Sequence, residues 1–172
     1  YNVPNKALPR AIADGIRSVD TRWLQSYHGS RGTAALEFLG TGETWLTVNN
    51  IYTTQSNVVA EAQGEYNRST MPAFMLEGRY ESSTYPALVV RTQAWQAALS
   101  GMSGHIAGEE QLWRFTSTWQ SRLDSTAAGQ FVHLKTLFEG RPWEVLVPDF
   151  AAGLLTAGTG TGVTRAAAAR AA

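Results

Sequence analysis

Segments with helical periodicity alternate along this chain with short apolar or β-branched segments, and this alternation constrains the fold more than any other feature. Apolar residues at helical spacing, with Gly following two of the segments, predict helices at residues 5–19, 57–67, 87–100 and 127–140. The shorter apolar segments predict strands at residues 23–28, 45–51, 72–77 and 104–108. Strands that alternate with helices are typical of α/β folds with parallel strands.

The predicted strands are short, and four of them match half of a (β/α)8 barrel better than a doubly wound sheet. No Gly-rich phosphate loop follows the first strand, which argues against a nucleotide-binding fold. Residues 151–172 differ from the rest of the chain, because they consist mainly of small side chains in a low-complexity sequence. Their Gly-Thr-Gly-Thr-Gly run lacks the lysine of a phosphate-binding loop, which favours a linker or a hairpin turn.

Charge and cysteine content exclude several classes of function. Lysines and arginines number 14, and aspartates and glutamates also number 14, without a run of one sign. This balance provides no electrostatic attraction for nucleic acid or for an anionic membrane, so neither is a predicted partner. No apolar stretch approaches the ~20 residues that a membrane span needs. Because the chain has no cysteine, thiolate metal sites are excluded as well.

Polar side chains stand at the ends of the predicted strands: His28, Asn49 with Asn50, Glu77 and His105. In parallel α/β barrels, the C-terminal ends of the strands face the active site. Because each strand end contributes its own polar group, we expect these side chains to line one cleft. Either histidine could bind sugar hydroxyls there, although a histidine taken alone is equally compatible with a structural role.

The most informative of these residues is Glu77, which ends the apolar run Ala-Phe-Met-Leu at residues 73–76. A carboxylate at a barrel strand end can attack an anomeric carbon or stabilise an oxocarbenium ion, which predicts a catalytic role in glycoside hydrolysis. A surface ion pair with Arg79 is the structural alternative for Glu77. Further candidates for substrate binding, by carboxylate contact or by stacking on a sugar ring, are Tyr80, Glu81 and Trp113.

Two other functions fit the same residues. His28, Glu77 and His105 could bind a metal ion, although they lie on distant predicted strands without a local ligand pair. The chain could also be a non-catalytic carbohydrate-binding or structural module of a larger assembly. No Gly-x-Ser-x-Gly or Ser-His-Asp pattern supports serine-hydrolase chemistry. We expect no metal and no cofactor.

Several motif-like spacings surround Glu77. They are Glu-x-x-Tyr-Glu at residues 77–81, Arg-x-x-x-Trp at 91–95, Ser-Gly-x-x-Gly at 100–104 and Trp-x-Phe at 113–115. This order resembles the apiosidase-like glycoside hydrolase family, whose members often carry an appended domain described as collagen-binding. The residues that carry the resemblance are Glu77, Tyr80, Glu81, Arg91, Trp95, Ser100, Gly101, Gly104, Gly108, Trp113 and Phe115. Weaker similarity extends over most of residues 1–150.

The resemblance implies a fold and a role for Glu77. Residues 1–150 would form the second half of a (β/α)8 barrel, and residues 151–172 would be a linker or the start of a C-terminal β-sandwich domain. Glu77 would be the nucleophile, or the stabilising carboxylate if the reaction inverts. Ala107 stands where the family usually has the Tyr of a Tyr-Gly pair, which removes one aromatic hydroxyl from the expected pocket.

The resemblance also implies that a catalytic partner lies outside the chain. The family's acid/base Asp belongs to a Gly-Gly-Asp motif at the fourth barrel strand, and Tyr1-Asn2 resembles the segment just after it. The expected partners are therefore a carbohydrate substrate, such as a plant polysaccharide, and the missing half of the barrel, from the parent chain or from a partner chain. The 172-residue chain alone is expected to be inactive on glycosides.

Overall fold

The computed structural model describes residues 5–54 and 56–172. The similarity noted at Tyr1-Asn2 lies outside this part of the chain. The helices are α1 (Ala7–Val19), α2 (Ala35–Leu39), α3 (Val58–Arg68), α4 (Ala87–Leu99), α5 (Glu110–Trp113) and α6 (Thr126–Glu139). The strands are β1 (Asn49–Tyr52), β2 (Ala73–Glu77), β3 (Leu146–Pro148) and β4 (Ala169–Ala171). None of the described helices is long and apolar enough to cross a membrane.

Strands β1 and β2 form a parallel pair, and helix α3 connects them. A single parallel bridge between Met75 and His105 adds the next segment of the chain beside β2. The order strand, helix, strand, helix, strand-like segment confirms the prediction of an α/β fold with parallel strands. It also places the C-terminal ends of these segments at one edge of the sheet.

Two of the four predicted strands are not strands in the structure. Residues 23–28 run beside β1, but only the Gln25 carbonyl accepts backbone bonds, from the N–H groups of Thr47 and Val48. The Asn50 side chain, rather than a ladder, secures the end of this segment by donating to the Tyr27 carbonyl at 2.8 Å. Residues 104–108 form a single bridge, at His105, and the Gly108 carbonyl accepts from the Glu81 N–H at 2.9 Å. Extended backbone was therefore predicted correctly there, whereas strand pairing was not.

Helices α1, α3, α4 and α6 agree with the four predicted ranges to within two residues, because helical periodicity is a local property. Helices α2 and α5 were not predicted. Helix α4 begins after Pro86 and is followed at Gly101 by a residue with φ 88°. This left-handed conformation favours glycine, and a Cβ at Gly101 would also overlap the Tyr66 ring. The end of α4 is thus determined by its own sequence.

A core of aliphatic and sulfur-containing side chains lies between the parallel strands and the helices that cover them. It includes Ile51 and Met75 from the strands and Val58 and Ala97 from α3 and α4. Ile51, Met75 and Val58 are fully buried. Burial of side chains of this size contributes about 1.5–3 kcal/mol each. This core fixes the positions of β1 and β2, and with them the edge of the sheet.

A β-bulge interrupts the pairing of β1 with β2 near this edge. Ile51 pairs with Met75, but the next residue, Tyr52, pairs with Glu77, so that Leu76 has no partner. In a regular strand, residues two apart point to the same face, and Glu77 would follow Met75 towards the core. The bulge changes this alternation. As a result, Glu77 and Tyr52 both lie on the opposite face from the core.

The C-terminal segment folds back onto the rest of the chain. Strand β4 pairs antiparallel with β3, and the Gln96 side chain of helix α4 donates to the Arg165 carbonyl at 2.6 Å. The division at residue 150 stays a prediction, as does a β-sandwich entry at residues 151–172.

Candidate active site

A cleft of about 640 Å³ lies at the C-terminal ends of β1 and β2. We call it the polar cleft. Its lining includes five charged side chains and four aromatic rings besides histidine: Arg31, Glu77, Arg79, Glu110, Arg114, Tyr52, Tyr80, Tyr85 and Trp113. The remaining lining residues are His28, Gly78, Ser82 and Thr84. A concave site that combines apolar rings with a few convergent polar groups is typical of small-ligand and sugar sites.

The central contact of the polar cleft joins Glu77 to His28. The Glu77 Oε2 atom lies 2.8 Å from His28 Nε2, and the Glu77 side chain is 20% exposed. The other ring nitrogen, Nδ1, lies 3.1 Å from the Gly29 carbonyl. Each ring nitrogen of His28 therefore faces an oxygen atom, of Glu77 on one side and of the Gly29 carbonyl on the other. This arrangement places an imidazole directly against the carboxylate and leaves Glu77 partly accessible.

Tyr80 is the second hydrogen-bond partner of Glu77. Burial raises the pKa of Tyr80 to about 12, and the hydrogen bond to Glu77 and the Glu77 charge add to this effect. The phenol therefore stays protonated at neutral pH and donates to the carboxylate. Its ring packs so closely on the backbone of Gly108 that a Cβ at Gly108 would overlap it. Gly108 is thus required for the position of Tyr80.

Arginine side chains stack on the tyrosine rings of the polar cleft. The Arg31 guanidinium lies 5.2 Å from the Tyr52 ring centroid and also donates to the Tyr52 hydroxyl at 3.3 Å. Arg79 lies 4.6 Å from the centroid of the Tyr85 ring. These distances fall within the range of cation–π contacts. Arg79 thus contacts an aromatic ring within the polar cleft.

A second carboxylate, Glu110, lines the same cleft from the start of helix α5. It accepts a hydrogen bond from Arg114 Nε at 3.0 Å. The charge of Glu110 is therefore compensated within its own helix turn, whereas Glu77 contacts His28 and Tyr80. Glu77 and Glu110 together give this cleft two acids with different environments.

Comparison with known proteins identifies the family. Residues 1–145 match the family described as "Apiosidase-like, catalytic domain". The chain belongs to this apiosidase-like family. The match confirms the resemblance inferred from the residues around Glu77. No curated protein matches the chain.

Two solved structures share the fold of this apiosidase-like domain. One is a glycoside hydrolase family 5 protein from Bacteroides vulgatus ATCC 8482, with a TM-score of 0.83 and 19% identity. The other is described as a glycoside hydrolase, with a TM-score of 0.81 and also 19% identity. The alignments cover 94% of this chain in both cases, but only 43% and 45% of the two relatives. The apiosidase-like chain thus spans less than half the length of these structures.

Of the predicted site residues in this apiosidase-like domain, the structure brings four into the polar cleft: His28, Glu77, Tyr80 and Trp113. Asn49 and Asn50 lie outside the polar cleft. Strand β1 runs from Asn49 to Tyr52, one residue beyond the predicted end at residue 51, so these two residues stand at its beginning. Tyr52 therefore occupies the strand end in their place. Residues 51–54 are β-branched or aromatic, and this pattern would have justified extending the predicted strand to Tyr52.

Asn49 and Asn50 have structural hydrogen bonds instead. The Asn49 carbonyl oxygen accepts from the Leu36 N–H at 3.0 Å, and its amide donates to Glu65 at 2.8 Å. Asn50 donates to Ser26 Oγ at 2.7 Å in addition to its bond to the segment at residues 23–28. Both side chains are buried. They connect β1 to the neighbouring segments and do not line the polar cleft.

Glu81 is also placed in a structural position. Its Oε2 accepts from the Ala127 N–H at the start of helix α6 at 3.0 Å, and its other oxygen lies 3.9 Å from Arg122. Arg122 donates to Glu109 at 2.8 Å, and this bond, together with the charges of Glu109 and Glu81, raises the pKa of Arg122. Glu81 is buried. It holds the start of α6 and does not reach the polar cleft.

His105 lies in a different cavity of about 490 Å³. We call it the apolar cleft; its lining includes Ala94, Ala98, Met102, His105, Ala107, Phe131, Leu134, Lys135, Phe138, Glu139 and Trp143. The His105 ring stacks on Phe131 at 5.5 Å, and both ring nitrogens are buried without a hydrogen-bond partner. Burial lowers the pKa of His105 to about 4. His105 is thus a neutral core residue at neutral pH.

The position of His105 follows from its pairing. Residues that pair across neighbouring strands lie on the same face of the sheet. Because His105 pairs with the buried Met75, its ring faces the helices together with Met75. It therefore cannot join His28 and Glu77 in a metal site. Within residues 5–54 and 56–172, no group of three His, Asp or Glu side chains is arranged to hold a metal ion.

Proposed function

We propose that the polar cleft is the glycosidase site of the protein that carries this chain, with Glu77 as the catalytic carboxylate. The observation that supports this role is the position of Glu77. It lies partly accessible at the end of β2, in a cleft with four aromatic rings, and is oriented by His28 and Tyr80. Glycoside hydrolysis uses two carboxyl groups on either side of the scissile bond.

Glu77 would act as the nucleophile in a retaining reaction or as the base in an inverting one. The Tyr80 hydroxyl and the His28 ring each contact the Glu77 carboxylate. These two contacts orient the remaining lone pairs of the carboxylate towards the cleft. Tyr80 donates to the carboxylate that would serve as the nucleophile or the base. His28 and Tyr80 are therefore positioning residues for Glu77.

The acid/base is proposed to come from outside the described residues, as the family resemblance implies. Glu110 is the alternative, because it lies in the same cleft, but its side chain is engaged in an ion pair with Arg114. A plant polysaccharide is the proposed substrate class. The isolated 172-residue chain is accordingly expected to bind sugars without hydrolysing glycosides.

Azide rescue tests the role of Glu77. In the full protein, Glu77→Ala should lose turnover of aryl glycosides, including aryl apiosides, by roughly 10³-fold or more. If Glu77 is the nucleophile, azide should restore activity and yield the glycosyl azide with the opposite anomeric configuration. Glu110→Gln is the matched variant and should retain turnover. Loss of activity in Glu110→Gln, with none in Glu77→Ala, contradicts the proposal.

The second proposed partner is the complementary part of the barrel. Helix α1 has an apolar stripe of Leu8, Ile12, Ile16 and Val19, each about half exposed or more. Exposed stripes of this kind mark surfaces that pack against another structure. We infer that the rest of a (β/α)8 barrel covers this stripe and the open edge of the sheet. The isolated chain should therefore associate in light-scattering experiments, and a well-behaved monomer contradicts this inference.

A further inference from the structure

Two further aromatic side chains, Phe115 and Trp119, come shortly after the cleft residues Trp113 and Arg114 in the sequence. Two residues beyond Trp113, the Phe115 side chain is 74% exposed. Its ring stacks on Trp119, with centroids 5.1 Å apart and planes inclined by 20°. An exposed ring of this size forgoes the burial that stabilises a fold. The ring is therefore accessible to a ligand while it is held against Trp119.

The backbone of Phe115 supports the same conclusion. Its φ of 51° lies in the left-handed region, which bulky residues rarely adopt. The conformation is maintained because the Phe115 N–H donates to the Leu112 carbonyl at 3.1 Å, while Thr118 Oγ1 donates to Gln111 at 2.7 Å. Strained positions of this kind persist where the surrounding structure over-determines them, and they are concentrated at functional sites.

The Phe115 surface is continuous with the polar cleft through the chain. Trp113 and Arg114, the residues just before Phe115, both line the cleft. The Trp113 ring contacts Tyr80, the partner of Glu77, edge-on at 6.0 Å, and is 66% exposed. Arg114 lies 5.3 Å from the Trp113 ring centroid. Aromatic faces thus extend from the proposed catalytic carboxylate outwards to Trp119.

We propose that Phe115 and Trp119 form an outer sugar-binding surface for a glycan chain that extends out of the polar cleft. Apolar ring faces of sugars stack on exposed aromatic rings, and a ring held rigidly before binding loses little entropy on binding. The inference rests on the proposed glycosidase function of the same cleft. It adds that the substrate is an extended glycan rather than a single terminal glycoside.

Affinity electrophoresis of the full protein tests this surface without catalysis. The protein is run in native gels that contain xylan, arabinogalactan or pectin, in a Glu77→Gln background. Phe115→Gly and Trp119→Ala should weaken retardation by the polysaccharide that binds best about tenfold. Phe115→Trp should retain it. Trp23→Ala, which removes an exposed tryptophan elsewhere, is the control and should not change it.

Thermal unfolding separates binding from folding. Glycine adopts positive φ without strain, so Phe115→Gly should unfold at the same temperature as the parent protein although its binding is weakened. Unchanged retardation in Phe115→Gly and Trp119→Ala, or no retardation of the parent protein by any of the three polysaccharides, overturns the proposal. Turnover by Glu77→Gln contradicts the proposed catalytic role instead and leaves the comparison of retardation between variants intact.

Discussion

The polar cleft and the apolar cleft each contain one histidine from a strand-like segment, but the two rings have opposite surroundings. His28 contacts a carboxylate and is partly exposed, whereas His105 stacks on Phe131 with both nitrogens buried and unpaired. The difference originates in strand pairing: His105 shares a face with Met75, and the bulge in β2 moves Glu77 off that face. A histidine near a strand end is therefore functional only if its register places it on the cleft side.

The largest expected effect concerns the carboxylates of the two clefts. In the full protein, Glu77→Gln should lower turnover roughly 10³-fold, because a neutral amide can act neither as nucleophile nor as base. Glu139→Gln is the control, since Glu139 lines the apolar cleft and pairs with the exposed Lys135 at 3.7 Å. Steady-state kinetics on the same glycoside should show no effect of this control. Equal losses in the two variants would mean that the two clefts do not differ in function.

The buried His105 should make stability depend on pH. Its pKa is about 4 in the folded protein, against 6.5 for an unperturbed histidine. Between these values only the unfolded chain takes up the proton, so stability falls as pH decreases from 6.5 to 4. The loss amounts to roughly 2–3 kcal/mol for this one group.

Urea unfolding at pH 7 and pH 4.5 measures this contribution. His105→Phe keeps the ring stacked on Phe131 but cannot titrate, so it should be less sensitive to acid than the parent chain. His133→Gln, at an exposed position of helix α6, should behave like the parent chain. If His105→Phe loses as much stability in acid as the parent chain, the ring is not buried as described.

A smaller effect separates the two glutamates of the Glu-x-x-Tyr-Glu motif. Glu81→Ala leaves the buried N–H of Ala127 without an acceptor, which should cost about 1–3 kcal/mol of unfolding free energy. Glu77→Gln should cost less, because the Glu77 carboxylate contacts the side chains of His28 and Tyr80, and Gln can still accept a hydrogen bond. Urea unfolding at pH 7 compares the two variants. A larger loss for Glu77→Gln would assign Glu77 the structural role.

The sequence predicted local features of this domain better than non-local ones. Helices α1, α4 and α6 were placed closely because periodicity and glycine stops are local signals. Strand pairing depends on partners far along the chain, so residues 23–28 and 104–108 were assigned strands that do not form. Glu77 was singled out by its place after an apolar run, but the bulge that directs it into the cleft has no such local signal.

The site residues also differ in whether local sequence features could predict them. His28, Tyr80 and Trp113 were predicted to contact substrate and lie in the polar cleft. Arg31 and Glu110 were missed, since charged residues in loops and short helices carry no periodic pattern. Their place in the cleft follows from packing between distant segments, which a single sequence does not display.

Nuclear magnetic resonance of the histidine rings tests the central geometric claim most directly, because the chain has only three histidines. We expect Glu77→Gln to shift the ring resonances of His28 and to leave those of His105 and His133 in place. The His105 resonances should titrate near pH 4. A response of His105 to Glu77→Gln, with His28 unaffected, would contradict the placement of Glu77 and His28 in one cleft.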